Sequence, residues 1–429
     1  MRTRFQLRQL AYDLRENLLF RPGLIAAGCA VAGILLPAWE GAAGAALLAP
    51  VSRALPMEPG GAQVVLGTLA GAMMTVVSVV YSILLVALSL ASIQFSTRIL
   101  ASFMRDRPAQ NTLGMLVGTF VYTLFVLRSV HSDPPFVPVT SVLVAIGLAL
   151  ASLGALVWFI HHIVRGIQAN HLVDRIAAES EPVIDGVFGE RLAAGEEPAP
   201  AWDPAPPEGA TPVLALRSGY VQLISSEALL EAAAGGHLVL TRGMGQFVAA
   251  GAPLAWWRGP RPVSAEAVDA ALDLGPIRTM QDDAEWGLRQ IVDIGLKAIS
   301  PAVNDPSTGA TCVDQLTRLL IRAAPLRTPP GRLSTGGAVV ELPTTSFVEL
   351  VRLAFEQLRQ YARADMAVTL RILRALADVA EGTPHAAGRR ELLRQGRLAR
   401  DAARASFAVS DCDELEQRWS RLERACGGA

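Results

Sequence analysis

The sequence predicts a membrane α-helical domain of four transmembrane helices and a cytoplasmic α+β domain. The latter holds a small β-barrel-like module and a helical C-terminal region. Three observations carry this. From Ala62 to Thr97 there is no Asp, Glu, Lys or Arg, well beyond the roughly 20 apolar residues a spanning helix needs. Three more apolar stretches, at residues 24–39, 113–130 and 140–160, accompany it. After residue 194 a Pro-rich linker leads into short β-type runs and then amphipathic helices.

The chain has 429 residues, 51% of them hydrophobic, and a net charge of −1. That leaves room for a soluble domain of about 250 residues beside the membrane domain. The near-neutral balance gives no reason to expect nucleic acid as a partner. Lys297 is the only lysine. Cys29, Cys312, Cys412 and Cys426 are far apart and form no CxxC pair, so neither a disulfide framework nor a metal site is expected.

Residues 1–21 carry Arg2, Arg4, Arg8, Arg15 and Arg21 between leucines and aromatics, the pattern of an amphipathic helix on the inner membrane surface. The first span, 24–39, follows Pro22 and reads as an anchor that is retained rather than a signal peptide. Residues 40–61, with Glu40 and several Pro and Gly, read as a loop or a short interfacial helix. The second helix is expected over 62–104, roughly 64 Å long if continuous. The fourth is expected over 138–179, running past the bilayer. No carboxylate is expected within any span. Arginines cluster in the N-terminal segment, in the 98–107 turn and after residue 160. The lipid bilayer is therefore expected to be crossed with both termini cytoplasmic.

The second helix carries the functional signal. Thr68, Gly71, Thr75, Ser78, Ser82, Ser89, Ser92 and Ser96 recur at spacings of three and four, with Leu85 at the one apolar position in the series. A 3.5-residue period keeps one narrow face on one partner. Small residues of this kind pack helices closely, and a serine can return its hydroxyl to the carbonyl four residues back. The same face can wall a water-filled path for ions, lined by copies of this helix in a homo-oligomer. Leu85 is then a hydrophobic constriction, and Arg98, Arg105 and Arg107 an inner ring of charge favouring anions. An ordinary positive-inside flank would also place those arginines there.

Residues 194–211 are the linker, 212–258 the β module and 264–429 the mainly helical domain. The phrase GQFVAAGAPLA (245–255) is reminiscent of turns in lipoyl-type barrels, but the module has no lysine to carry a group. Helices are expected at 264–274, 282–299, 306–324, 345–362, 364–380, 387–407 and 411–424, with a strand at 338–342. Asn304, Asp305, Ser307 and Thr308 stand at a helix start, either as a ligand loop for an anion or as a plain capped entry. His161, His162, His171 and Asp174 mark the fourth helix's exit. Arg390, Arg394, Arg397 and Arg404 share one helix face. No catalytic set, Walker loop, GxGxxG or HExxH occurs, so neither an enzyme nor a cofactor is expected.

Four stretches occur in a telling order: YSILLVALSLASIQFSTRIL (81–100), LGMLVGTFVYTLFVLRSV (113–130), SGYVQLI (218–224) and LRQIVDIGLKAISPAVNDPSTG (288–309). Together they resemble an uncharacterised bacterial membrane family, domain of unknown function 2254. That resemblance implies a bacterial inner-membrane protein of four spans with a cytoplasmic domain. The expectation is a homo-oligomeric channel lined by the second helix, set against a non-conducting sensor or scaffold whose cytoplasmic domain binds a partner.

Overall fold

The computed structural model describes residues 19–42, 56–94, 107–166, 168–193, 196–199 and 205–427. The chain divides into two compact units, residues 1–168 and 169–429.

The first unit holds four helices: α1 (Phe20–Ala42), α2 (Pro59–Gln94), α3 (Arg107–Ser129) and α4 (Val139–Gly166). Each is long and apolar enough to cross a membrane. Proline stands in the first turn of α2 and α3, where its missing N–H has no intrahelical partner to lose. A two-stranded hairpin, β1 (His131–Ser132) and β2 (Pro135–Phe136), links α3 to α4.

Helix α3 is the hub and packs on α1, α2 and α4. Its contact with α1 depends on glycine. A Cβ at Gly114 would fall 2.7 Å from Ile25 Cδ1, and one at Gly118 2.8 Å from Cys29 Sγ. On the facing side, a Cβ at Gly33 would lie 3.0 Å from the Tyr122 carbonyl oxygen. Small residues thus bring the two backbones together, where dispersion rather than the hydrophobic effect holds membrane helices. Two apolar clusters join α2, α3 and α4, one around Leu66, Tyr122 and Val142 and one around Val80, Leu116 and Phe159.

Several expectations change here. The 40–61 loop is helical at its start, because α1 runs on through Ala42. The expectation that no span holds a carboxylate is corrected by Glu40, which sits buried near the end of that helix. The continuous helix over 138–179 is replaced by two. Helix α4 ends at Gly166, and α5 (Ala169–Phe188) begins a new element of the second unit. The amphipathic segment before residue 19 and the part of the second helix from 95 to 104 lie outside the described residues.

In the second unit, α5 packs on α8 (Ala284–Ala298) and α9 (Pro306–Ala323). Arg318 of α9 binds Glu181 at 2.7 Å and Asp174 at 3.0 Å, and Arg322 binds Asp185. The β part is two open sheets. One has the order β3 (Thr211–Leu214), β7 (Pro253–Arg258), β5 (His237–Leu240), β10 (Ala338–Glu341), β9 (Arg332–Thr335). The other runs β6 (Phe247–Val248), β4 (Gly219–Ile224), β8 (Leu272–Gly275). Neighbours are antiparallel except β5 and β10, which run parallel. Both sheets share one core with α6 (Ser226–Ala232) and α7 (Ala265–Ala270), centred on Val221, Leu229, Leu238 and Val340. No closed barrel is present among the described residues. The 212–258 segment is not self-sufficient, since β8, β9 and β10 come from beyond it. Part of the helix expected at 264–274 is therefore strand.

The remaining helices are α10 (Phe347–Tyr361), α11 (Met366–Gly382), α12 (Ala386–Ser406) and α13 (Asp413–Ala425). They fall close to the expected segments, with α10 started by a Ser346–Glu349 capping box.

Candidate functional site

The face of α2 that meets its own bundle is set by Ala62, Leu66, Ala70, Met73, Val80 and Ala87, all buried. These positions run two residues out of phase with the small-residue seam, which is ~200° around the helix axis. The seam therefore points the other way. Thr68, Gly71, Thr75, Ser78, Ser82, Leu85 and Ser89 are all exposed, and a Cβ at Gly67 or Gly71 would meet nothing within 4 Å. Ser92 lies in the last turns of α2, and Ser96 is outside the described residues. Packing against a neighbour among the described residues does not account for this face.

Four of its hydroxyls are nonetheless satisfied. Thr68, Thr75, Ser78 and Ser82 donate to the carbonyls of Val64, Gly71, Met74 and Ser78 at 2.8–3.1 Å. Each oxygen keeps lone pairs that can accept a further hydrogen bond. From Thr68 to Ser82 the wall thus offers acceptors at regular intervals, each hydroxyl proton already taken up by its own helix. Leu85, 64% exposed, interrupts it with a bare isobutyl group. Of the three arginines assigned to the inner mouth, Arg107 begins α3 and is exposed. Arg98 and Arg105 lie outside the described residues.

The polar groups of α3 and α4 behave differently. Thr119 Oγ1 and Ser152 Oγ share a buried hydrogen bond of 2.9 Å, and Tyr122 donates its phenol to the Ser141 carbonyl at 3.2 Å. Glu40 accepts from the backbone N–H groups of Thr140 (3.1 Å) and Ser141 (2.7 Å) and from the Ser141 hydroxyl (2.5 Å). The carboxylate thus holds the first turn of α4, where free N–H groups and the helix dipole favour negative charge. One sign of this is present in the chain itself: an acid at the very end of an apolar run.

In the 300–309 loop the four candidate ligand residues are not equivalent. Asp305 is committed to the cap, with Thr308 donating both its N–H (3.1 Å) and its hydroxyl (2.6 Å). Those bonds hold the Asp305 carboxyl below its ordinary value. Asn304 adopts a positive φ of 50° and is exposed, as is Ser307. The arrangement is a capped helix start behind a tight turn. Asp174 is taken up by Arg318, and His162 stacks on Trp158 at 5.3 Å. Arg394 and Arg404 pair with Glu391 and Glu416, while Arg390 and Arg397 are exposed on the same helix. Among the described residues no group of three His, Cys, Asp or Glu side chains forms a metal-sized cluster.

Asp283 and Glu285, which the sequence sets near a helix start where acids suit the dipole without a metal, join a largely buried cluster at the start of α8. Arg278 clamps Asp283 with bonds of 2.5 and 2.8 Å, reaches Glu285 at 3.2 Å and lies over the Trp286 ring. Asp283 also caps α8, and Glu285 accepts from the Thr345 hydroxyl. Every member has a partner inside the unit, which makes it a structural clamp.

Comparison with known proteins agrees with this architecture. The family model described as "Predicted membrane protein (DUF2254)" matches residues 15–378. An uncharacterized protein of Mycobacterium bovis and one of Mycobacterium tuberculosis strain H37Rv are each 32% identical over 364 residues. The alignment covers 82% of this chain and 70% of each relative. No solved structure matches the chain. The chain belongs to the DUF2254 family.

Proposed function

We propose that this DUF2254 member assembles as a homo-oligomeric channel in a bacterial inner membrane, with α2 lining the pore. The observation that carries the proposal is the outward seam from Thr68 to Ser89, opposite the face α2 uses within its own chain. Hydroxyl acceptors on a span side that no other described element covers suit a water-lined wall, and Leu85 suits a dewetting constriction. Such a wall discriminates weakly, so selectivity falls to charge at the mouths, with Arg98, Arg105 and Arg107 at the inner one. Both termini are cytoplasmic by the distribution of arginine. The second unit gates or assembles the path, and no catalytic reaction is assigned to it.

A second reading, a non-conducting sensor or scaffold, is favoured by one observation. The seam hydroxyls already return to their own carbonyls, so the seam can contact a protein partner without water. The test is electrical: purified protein in liposomes, patched under voltage and then under tension. The channel reading expects discrete openings that vanish in a Ser82→Trp variant still assembled to wild-type size. A silent bilayer over inserted, oligomeric protein would replace the channel with the scaffold. A Ser78→Leu, Ser82→Leu double variant that blocks flux while keeping its assembly supports the same wall.

A further inference from the structure

Where α1 and α3 end together, a cavity of about 440 Å³ opens between them, lined also by His131 and Phe136 of the β1–β2 hairpin. That volume is within the range of ~300–1,000 Å³ typical of small-molecule sites. One wall is a smooth strip of α1, with Gly33, Pro37 and Gly41 one turn apart, and Phe125 and Phe136 supply aromatic sides. A Cβ at Gly41 would stand 3.4 Å from the Phe136 ring, so the strip and the hairpin meet closely. The lining contains no acidic residue and two basic ones, Arg128 and His131.

Arg128 is exposed and has no hydrogen-bond or ion-pair partner among the described residues. An arginine in a helix's last turn complements the dipole, but that does not explain the cavity beside it. The His131 ring is fixed by an Nδ1–H donated to the Ser129 carbonyl at 2.7 Å, which leaves Nε2 for another partner. Arg128 is the penultimate residue of a 23-residue span, so its guanidinium stands at the edge of the hydrocarbon layer, where lipid phosphates lie. The segment that follows α1, residues 43–55, contains Arg53 and no carboxylate, so it offers nothing to neutralise Arg128.

We propose that this cavity is a binding site for one anionic phospholipid. Its phosphate is held by Arg128, with His131 as a second contact, and an acyl chain lies along the Gly33–Pro37–Gly41 strip. The fork of a guanidinium matches phosphate oxygens in pairs, and the apolar strip continues directly from it. The site does not depend on whether the protein conducts.

The full-length protein in detergent is titrated with phosphatidylglycerol or with phosphatidylcholine of the same acyl chains, and bound lipids are counted by native mass spectrometry. One phosphatidylglycerol per chain should bind at least about tenfold tighter than phosphatidylcholine, the scale of a charge-assisted contact. Arg128→Gln should reduce phosphatidylglycerol to the phosphatidylcholine level, and Arg128→Lys should restore part of the preference. Ala38→Trp, at an exposed position in the lining, should weaken both lipids. Equal binding of the two lipids by the wild type overturns the proposal, and so does an unchanged Arg128→Gln variant. Displacement by millimolar inorganic phosphate would mark a free-phosphate site and also overturn it. An empty wild-type cavity does the same.

Discussion

Helices α2 and α3 are both long, apolar and dotted with small and hydroxylated residues, yet they use them in opposite ways. In α3, Gly114 and Gly118 face a neighbour at contact distance, and Thr119 is bonded to Ser152 of α4. In α2, Gly67 and Gly71 face open space, and the hydroxyls bond only within their own helix. Composition alone does not separate the two. The lesson is that a small-residue pattern states how close something comes, and only the fold states whether that something belongs to the chain.

The largest expected effect breaks the comparison at its glycines. Gly114→Leu forces a side chain into Ile25 and the backbone of Pro22, and overpacking of this kind costs about 3 kcal/mol. The prediction is a clear loss of thermal stability in detergent, followed by tryptophan fluorescence. Gly71→Leu should leave the monomer as stable as before or slightly more so, since glycine in a helix costs roughly 0.5–1 kcal/mol relative to alanine. Its effect should appear in light scattering, as a shift toward monomer. Equal destabilisation by both substitutions would erase the distinction.

Next comes Glu40, whose carboxylate ties α1 to the start of α4. Glu40→Ala leaves the buried Ser141 N–H without its acceptor and is expected to cost about 2 kcal/mol. Thermal melts of the variant against wild type check this. A change below about 0.3 kcal/mol, well under the cost of an unmade buried hydrogen bond, would mean that water replaces the carboxylate and that this end of the bundle is wet.

The same division between committed and uncommitted groups appears in the 300–309 loop. Asp305→Ala should cost about 1 kcal/mol as a lost cap. The Asp305 carboxyl titrates below its ordinary value near 3.8 in the folded protein, because Thr308 donates to it twice. Its contribution is therefore in place above that value and fades as pH falls through the lower folded one. Wild type and variant should converge in acid, as measured by denaturant midpoints across pH 2–6 (roughly the carboxyl range). Asn304→Gly, at a position with φ of 50°, should be neutral or stabilising. A loss of stability there would show that the Asn304 side chain makes a contact of its own.

Much of this architecture is legible in the chain because its signals are local. Each span shows as a local apolar run, and Asp305-Pro306 announces a helix start through two adjacent residues. The parts that were not legible depend on distant partners. Strand β10 pairs in parallel with β5, and β8 completes a sheet begun at β4. A four-residue run such as Leu272–Gly275 carries no record of where it will pair. Glu40 looked like the first residue of a loop because its partners, Thr140 and Ser141, lie in another span. The break after Gly166 was hidden by a helical pattern that resumes almost at once in α5. For α2 the period gathers the described seam residues on one exposed face, but a period fixes the width of a face and not its direction.

The smallest effect is the sharpest probe of that direction. Thr119→Val removes the hydroxyl bonded to Ser152 while keeping the side chain's shape, and should cost about 0.6 kcal/mol, the usual value of a hydrogen bond between membrane helices. Thr75→Val removes a hydroxyl that bonds only to the Gly71 carbonyl. In the monomer it should change nothing measurable, because that carbonyl remains in the helix ladder. If the seam lines a wet path, the same substitution replaces a water-accepting oxygen with a methyl group and should lower unitary conductance in the liposome recordings. If the seam is buried against a dry partner, Thr75→Val should instead hold or strengthen the oligomer, since a methyl packs there without an oxygen to desolvate. Paired measurement of stability and conductance on these two near-isosteric variants therefore reads what the outer face of α2 touches.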